Sequence, residues 1–314
     1  MHSSDTLDTV DLELPGQQSG KVRESWPLPN QRRLIVTTDR ISAFDRVITS
    51  IPYKGQVLNQ VAAWWFARTE DIVANHVVDL PDPNALIAVD AKPLPVEVVV
   101  RGRLTGSTST SLLPRYERGE RHMYGYRLPD GLEAHGPLAE PLITPTTKAT
   151  DGGHDEPITV DQVVADGLVE QGLWTQIQKA ALELFRRGTE LAADAGFVLA
   201  DTKYEFGLAP DGELLLIDEV HTPDSSRYWA IDSLEERLAE GRGPESFDKE
   251  PFRLALKATG YDGNGTPPVI DPAAIAATSQ RYRELYERLT GTPFAPGAGQ
   301  PAERLRLNLA SLLD

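Results

Sequence analysis

Side chains alternate faces along the stretch Asp201 to Phe206, so Asp201, Lys203 and Glu205 share one face of a predicted strand and Thr202, Tyr204 and Phe206 the other. Apolar Phe197-Val198-Leu199-Ala200 leads into it, and a second apolar run, Leu214 to Ile217, follows Ala209-Pro210-Asp211-Gly212. Such runs predict a sheet covered on both faces, and Asp211-Gly212 predicts a two-residue hairpin turn. That turn pairs Pro210 with Glu213 and, counting back, sets Glu205 opposite Asp218. Two carboxylates with Lys203 beside them read as a floor for Mg²⁺, which takes one or two carboxylates and fills its shell with water and phosphate. The competing reading is a solvated acidic hairpin edge. Unpaired acids in a doubly covered sheet are costly, which favours the metal floor. A three-residue turn would shift the register by one and send Asp218 to the opposite face.

Elsewhere the pattern predicts a strand pair, Gly20 to Trp26 and Arg33 to Thr37, split by Pro27-Leu28-Pro29-Asn30. A helix is expected from about Gln56 to Ala67, with Leu58, Val61, Ala62 and Trp65 on one stripe. Val96 to Arg101 reads as a strand that runs into the glycine-punctuated loop 102–107, and residues 129–157, crowded with Pro, Gly and Thr, read as a long loop. Trp174, Ile177, Ala181, Leu184, Phe185, Leu191 and Ala195 mark a helix from about Leu173 to Ala195 that stops at Gly196. After the hairpin the chain turns helical, with one helix opened by Asp271-Pro272 and closed by Gly291. The organisation expected is α+β: a β-rich N-terminal lobe over residues 1–105, a mixed central lobe over 106–232 and a helical C-terminal extension over 233–314.

Composition narrows the chemistry. The formal charge of −16 argues against nucleic acid or an anionic membrane as partner. The absence of cysteine excludes disulfides, thiol nucleophiles and Cys-zinc sites and fits a cytoplasmic protein. The six histidines show no metal-ligand spacing.

Several polar motifs remain. Gly20-Lys21-Val22-Arg23 puts a glycine and two cations at a strand start, suited to phosphate, but the pattern is not a Walker A loop and on its own reads first as a plain strand start. Asp39 and Ser42 follow a strand end, where ligand contacts and local turn caps are equally expected. Lys54-Gly55 could bring an anion to a helix start or merely begin the helix. Arg101 and Ser107 flank the glycine loop, and an arginine fork with a hydroxyl suits a phosphate monoester, the alternative being a surface salt bridge beside an ordinary turn. Lys148, His154 and Asp155 lie in the long loop, where spacing alone favours a solvated loop over contact with a second substrate, and Arg227 follows the acidic hairpin closely enough to form a cationic wall beside it. These parts describe phosphoryl transfer from Mg-nucleotide to an anionic substrate.

The same motifs resemble phosphoribosylaminoimidazole-succinocarboxamide (SAICAR) synthetases. The resemblance is carried by Gly20 to Arg23, Thr38 to Asp45, Lys54 to Gln60, Arg101 to Ser107, Thr144 to Ala149, His154 to Glu156, Asp201 to Gly207, Ile217 to Glu219 and Arg227 to Trp229, in unbroken order. It implies a two-lobed, ATP-grasp-related fold and the joining of L-aspartate to carboxyaminoimidazole ribotide, with ATP giving ADP and phosphate through an acyl phosphate. It further implies Gly20, Lys21, Val22 and Arg23 along the ATP phosphates, and Glu205 and Asp218 on Mg²⁺. Arg101, Ser107 and Arg227 would meet the ribotide 5′-phosphate. Asp201 would face ribose or ribotide, with Lys203 at the transfer point and Lys148, His154 and Asp155 around aspartate or a second metal. Its partners would be these small molecules, and a monomer is expected. Two other classes use similar parts. A small-molecule kinase would not need aspartate, and a silent nucleotide-binding module would not turn over.

Overall fold

The computed structural model describes residues 6–44, 46–108, 110–148 and 156–313. The N-terminal part contains β1 (Gln18–Ser19), β2 (Arg23–Leu28), β3 (Arg32–Thr37), β4 (Arg40–Ala43), β5 (Arg46–Ser50), α1 (Lys54–Thr69), β6 (Val77–Asp82) and β7 (Ala85–Val89). An antiparallel sheet runs in the order β1-β2-β3-β7-β6, and β4 pairs with β5 beside it. The expected β2–β3 pair is present, with Arg23 opposite Thr37 and Leu28 opposite Arg32. Asn30 and Gln31 take left-handed backbone to turn between them. Alternate side chains of this sheet, Trp26, Leu34, Val36 and Ala85, pack with Leu7, Val10 and Leu12 in one apolar cluster.

The central part contains β8 (Lys92–Arg103), α2 (Leu112–Glu117), β9 (His122–Met123), β10 (Tyr126–Arg127), β11 (Pro137–Ile143), β12 (Thr146–Thr147), α3 (Val160–Ala165), α4 (Gln171–Asp194), β13 (Phe197–Leu208), β14 (Leu214–Ile217) and β15 (Ser226–Ala230). Its main sheet runs β11-β8-β13-β14, with β12 also on β8 and β15 also on β13. The stretch expected to be one long loop thus carries two strands. β11 contains Pro137 and Pro141 and is largely exposed, as an edge strand can be, and this masks it in the sequence. α4 lays Trp174, Ile177, Ala181, Leu184 and Phe185 into the largest core cluster, together with Tyr204 and Phe206 of β13.

Gly188 of α4 faces the buried His221 ring, and a Cβ there would lie 2.4 Å from His221 Cε1. The ring is fixed by a bond between His221 Nε2 and the Tyr204 hydroxyl and by edge-on contact with Trp65. Gly188→Ala is therefore expected to lower stability by about 1–3 kcal/mol through overpacking, although alanine is the better helix former. Urea unfolding would check this, and an unchanged or raised midpoint would contradict it.

The two sheets are sewn together by residues 74–76. Leu216 N donates to Ala74 O at 2.9 Å, His76 N to Leu216 O at 3.2 Å and Val89 N to His76 O at 2.8 Å. β8 falls inside the first of the three expected segments yet is a strand of the central sheet, so the change from one sheet to the other comes between Val89 and Lys92.

The C-terminal part contains α5 (Leu234–Ala239), α6 (Glu250–Ala258), α7 (Pro272–Thr290), α8 (Pro301–Asn308) and α9 (Ala310–Leu313). Asp271 caps α7 by accepting from Ala273 N at 2.8 Å, and Gly291 ends it in left-handed backbone, as the sequence predicts. Phe252 and Leu256 of α6 pack on Ile41 and Ala43 of β4. α8 returns to the N-terminal sheet, where Leu305 and Leu309 join the cluster around Trp26. Among the described residues no helix is long and apolar enough to cross a membrane.

Candidate active site

Three strands of the central sheet present charged side chains on one face. β13 pairs Asp201 with Arg101 and Glu205 with Glu97 of β8, and on its other side pairs Asp201 with Arg227 of β15. Cross-strand partners point the same way, so Glu97, Arg101, Asp201, Lys203, Glu205 and Arg227 form one array. The opposite face of β13 carries Tyr204 and Phe206 into the core, as the alternation predicts.

The expected register between Glu205 and Asp218 is corrected by the structure. Glu205 stands opposite Ile217, because the hairpin loop has three residues, Pro210 to Gly212, closed by Ala209 N donating to Glu213 O at 2.9 Å. Asp211 accepts from Glu213 N at 3.1 Å and Gly212 takes φ +92°, which together stabilise the longer loop. A straight continuation of β14 would turn Asp218 away. Its backbone instead leaves the strand at φ +65°, and Asp218 fronts the same cavity as Glu205. That cavity, about 430 Å³, lies between the sheets and is lined by Ser25, Arg33 and Ile35 on one side, by Val89, Asp90, Ala91 and Pro93 at the crossover, and by Glu205, Ile217 and Asp218 below.

Cations hold this floor. Lys203 Nζ reaches Glu97 Oε1 at 2.9 Å and also bonds Glu205, whose other oxygen accepts from Lys148. Arg23 reaches Asp218 at 2.7 Å and Glu219 at 3.0 Å. Gly20, Lys21 and Val22 form the loop that leads into Arg23, held by Arg40 donating to Gly20 O and Lys21 O and by Thr38 donating to Val22 O, and none of the three lines the cavity.

A second basin lies at the Asp201 end. Asp201 Oδ2 takes Arg101 at 3.3 Å and Arg227 at 2.6 Å, and Arg101 also donates to Thr144. A cavity of about 70 Å³ joins Asp201, Ser226 and Arg227 to Asp248, Lys249, Glu250 and Arg253 of the C-terminal part. Ser107 lies over α6, where Lys257 donates to its carbonyl at 2.8 Å. Of the remaining expected residues, Asp39 is engaged by backbone: one oxygen accepts from Leu7 N at 2.8 Å and the other from Gly55 N at 2.7 Å, so it ties an arm to the start of α1. Ser42 sits half-buried on β4, outside both basins. His154 and Asp155 lie outside the described residues.

The sequence profile described as SAICAR synthetase matches residues 17–268. The chain belongs to the SAICAR synthetase family. It is 45% identical over 290 residues to a phosphoribosylaminoimidazole-succinocarboxamide synthase of Legionella pneumophila (strain Lens), covering 92% of each chain. Its fold is similar to the SAICAR synthase of Saccharomyces cerevisiae complexed with SAICAR, with TM-score 0.78 and 31% identity over 92% of this chain and 100% of that one. It is similar also to a type-2 SAICAR synthetase in complex with ADP, with TM-score 0.68 and 22% identity over 90% of this chain and 100% of that one. The family catalyses an ATP-dependent ligation of purine biosynthesis, and the two-lobed α+β architecture expected of a SAICAR synthetase is the one observed.

Electrostatics separate the two floor carboxylates of this SAICAR synthetase. Burial and the neighbouring Glu205 and Glu219 push Asp218 up to about 6 against the pull of Arg23. Burial works on Glu205 too, but Lys203 and Lys148 overcome it and hold that carboxyl well below its usual range. Lys203 stays charged because Glu205, Glu97 and Asp218 outweigh its burial.

Sequence reasoning missed Glu97, Asp224, Lys249, Glu250 and Arg253 as parts of the site, and it noted Lys54 as an anion contact at a helix start and not as the partner of Asp224. Lys54 is fully buried and pairs with Asp224 at 2.9 Å; Asp224 also accepts from Tyr282 of α7 at 2.7 Å. Asp248-Lys249-Glu250 at the mouth of α6 was the available signal, a charged triplet before a first-turn proline.

Burial raises Asp248 to about 7, although it accepts from Tyr228 N and Glu250 N. A carboxyl raised on folding costs stability once ionised, above about pH 7, and the cost is relieved as pH falls toward the unfolded value of about 4. Asp248→Asn removes that titration. The stability of the variant relative to wild type should therefore improve from about pH 5 to about pH 8, as measured by urea unfolding at both. A difference that is flat or of opposite sign would contradict the assignment.

Proposed function

We propose that the face shared by β8, β13 and β15 joins L-aspartate to carboxyaminoimidazole ribotide at the expense of ATP, with ATP in the cavity between the sheets. The observation that carries this reading is the juxtaposition of two carboxylates, Glu205 and Asp218, with an array of cations in one line from that cavity to the Arg227 basin.

Gly20 to Arg23 lie over the phosphates, with Lys21 and Arg23 as counter-charges. Val89 to Ala91 and Ile35 border the base. Glu205 and Asp218 would hold Mg²⁺: they are oxygen donors on one cavity, and two carboxylates with phosphate and water suffice for this ion. Bound there, the ion would neutralise charge on the phosphate oxygens. Arg101, Ser107 and Arg227, joined by Lys249 and Arg253, take the ribotide 5′-phosphate. Asp201 bridges the two arginines through one oxygen and faces the sugar.

The ribotide carboxylate attacks the γ-phosphorus, ADP departs, and an acyl phosphate forms. The aspartate amine then attacks the acyl carbon and releases phosphate as the amide forms. Lys203 meets the charge developing on the transferred phosphoryl group, and Lys148 orders the aspartate side. Asp39 is assigned to support of α1, and Ser42 to the β4–β5 hairpin beside α6. The protein works as a cytoplasmic monomer, its first lobe ending at the crossover before β8.

ADP release with Mg-ATP and the ribotide, with and without L-aspartate, tests the reading. Release that needs all three, with matching succinocarboxamide, is expected. Rapid ADP release without aspartate would point to a kinase, and ATP binding without turnover to a silent module.

A further inference from the structure

Glu97 has no role in the scheme above, yet it stands directly opposite Glu205 across β8 and β13. Like charges facing across a ladder are destabilising, so a fold that places them there needs a cation between them. Lys203 is that cation: its ammonium reaches Glu97 Oε1 at 2.9 Å and bonds Glu205 as well. The far oxygen of Glu97 accepts from Thr146 Oγ1 at 3.3 Å, so Glu97 is anchored from behind by β12. Glu97 does not line the cavity between the sheets, whereas Glu205 does.

We propose that Glu97 is the positioning residue for Lys203, the group that keeps its ammonium aimed at the transferred phosphoryl while Glu205 turns to the metal. The inference deepens the proposed function and rests on Lys203 acting in transfer. An ammonium has three donors, and here two are spent on carboxylates. When the nucleotide and its cation claim Glu205, one of those holds weakens and Lys203 would swing on a flexible four-carbon stem. Glu97 stays in place, because Thr146 and not the ligand fixes it. The third donor then has a constant direction, and catalysis by a positioned charge depends on that constancy.

Glu97→Gln keeps shape and can still accept from Thr146, so its melting temperature should stay close to wild type. Its kcat for ADP formation should fall about 10–100-fold, the loss typical of removing a group that orients a functional one, while KM for ATP and for the ribotide changes less than about 2-fold. In a Lys203→Ala background the same substitution should alter residual ADP formation by less than about 2-fold, because the group it positions is gone. Should that background turn over too slowly to compare, the split between kcat and KM in the single variant decides.

An undiminished effect in the Lys203→Ala background, a rise in KM in place of a fall in kcat, or full activity of Glu97→Gln would each overturn the inference. Full activity of Lys203→Ala would overturn it together with the transfer role of Lys203. Full activity of Glu97→Gln beside an inactive Lys203→Ala would remove the inference alone.

Discussion

Asp218→Asn should abolish ATP turnover, by at least about 100-fold in kcat, while leaving the protein folded. The carboxylate is half-buried at the end of β14, aimed into the cavity by left-handed backbone, and pushed up to about 6 by desolvation and by its acidic neighbours. Arg23 holds one side of it and the cavity the other, and asparagine cannot supply the charge that would hold a second cation there. Asparagine tolerates left-handed backbone well, so the turn after β14 should survive. Arg23 keeps Glu219 at 3.0 Å, so no cation is stranded. Steady-state ADP release against Mg²⁺ concentration, with circular dichroism as the folding control, makes the measurement. Turnover near wild type would refute the assignment of Asp218 to metal. Turnover recovered only at high Mg²⁺ would instead support it.

Arg304→Ala should be the most damaging substitution in the C-terminal part, costing about 3–5 kcal/mol. Arg304 Nε reaches Asp82 at 2.9 Å and its Nη2 reaches the other Asp82 oxygen at 3.2 Å, with neither side chain more than 8% exposed. Truncation strands a buried carboxylate between α8 and β6, with Asn308 at 2.8 Å as its remaining side-chain partner on α8. Asn84, which Arg304 also contacts, donates to Thr37 O at 2.8 Å at the end of β3, so the loss spreads toward the strand end that carries Asp39. Chemical unfolding would show the shift, and a change under about 1 kcal/mol would mean that solvent already shields the pair.

The strength of local pattern and the weakness of register show together in the hairpin of β13 and β14. Alternation put Asp201, Lys203 and Glu205 on one face without help from any partner, because strand geometry alone decides it. Which residue of β14 meets Glu205 depended on a single loop residue, and Asp-Gly serves two- and three-residue loops alike. Glu97 was hidden for a different reason. It lies 106 residues from Lys203 in a run of β-branched side chains, where nothing local distinguishes a functional acid from an exposed one. Asp39 was legible as polar and near a strand end, but its donors, Leu7 N and Gly55 N, come from separate stretches of chain. Lys54 read as the start of a helix, and its partner Asp224 is set by the docking of α7 and the turn after Glu219.

The core beneath β2 and β3 is completed by Leu305 of α8 and by Leu309 just beyond it. During synthesis the N-terminal sheet therefore emerges well before the helix that seals it, with Trp26 and Leu34 lacking part of their cover and Asp82 lacking its arginine. Domains commonly fold as they leave the ribosome, and exposed apolar surface in the interval invites misassembly. This lobe should close late, as α8 docks, which makes the nascent chain up to that point a natural client for chaperones.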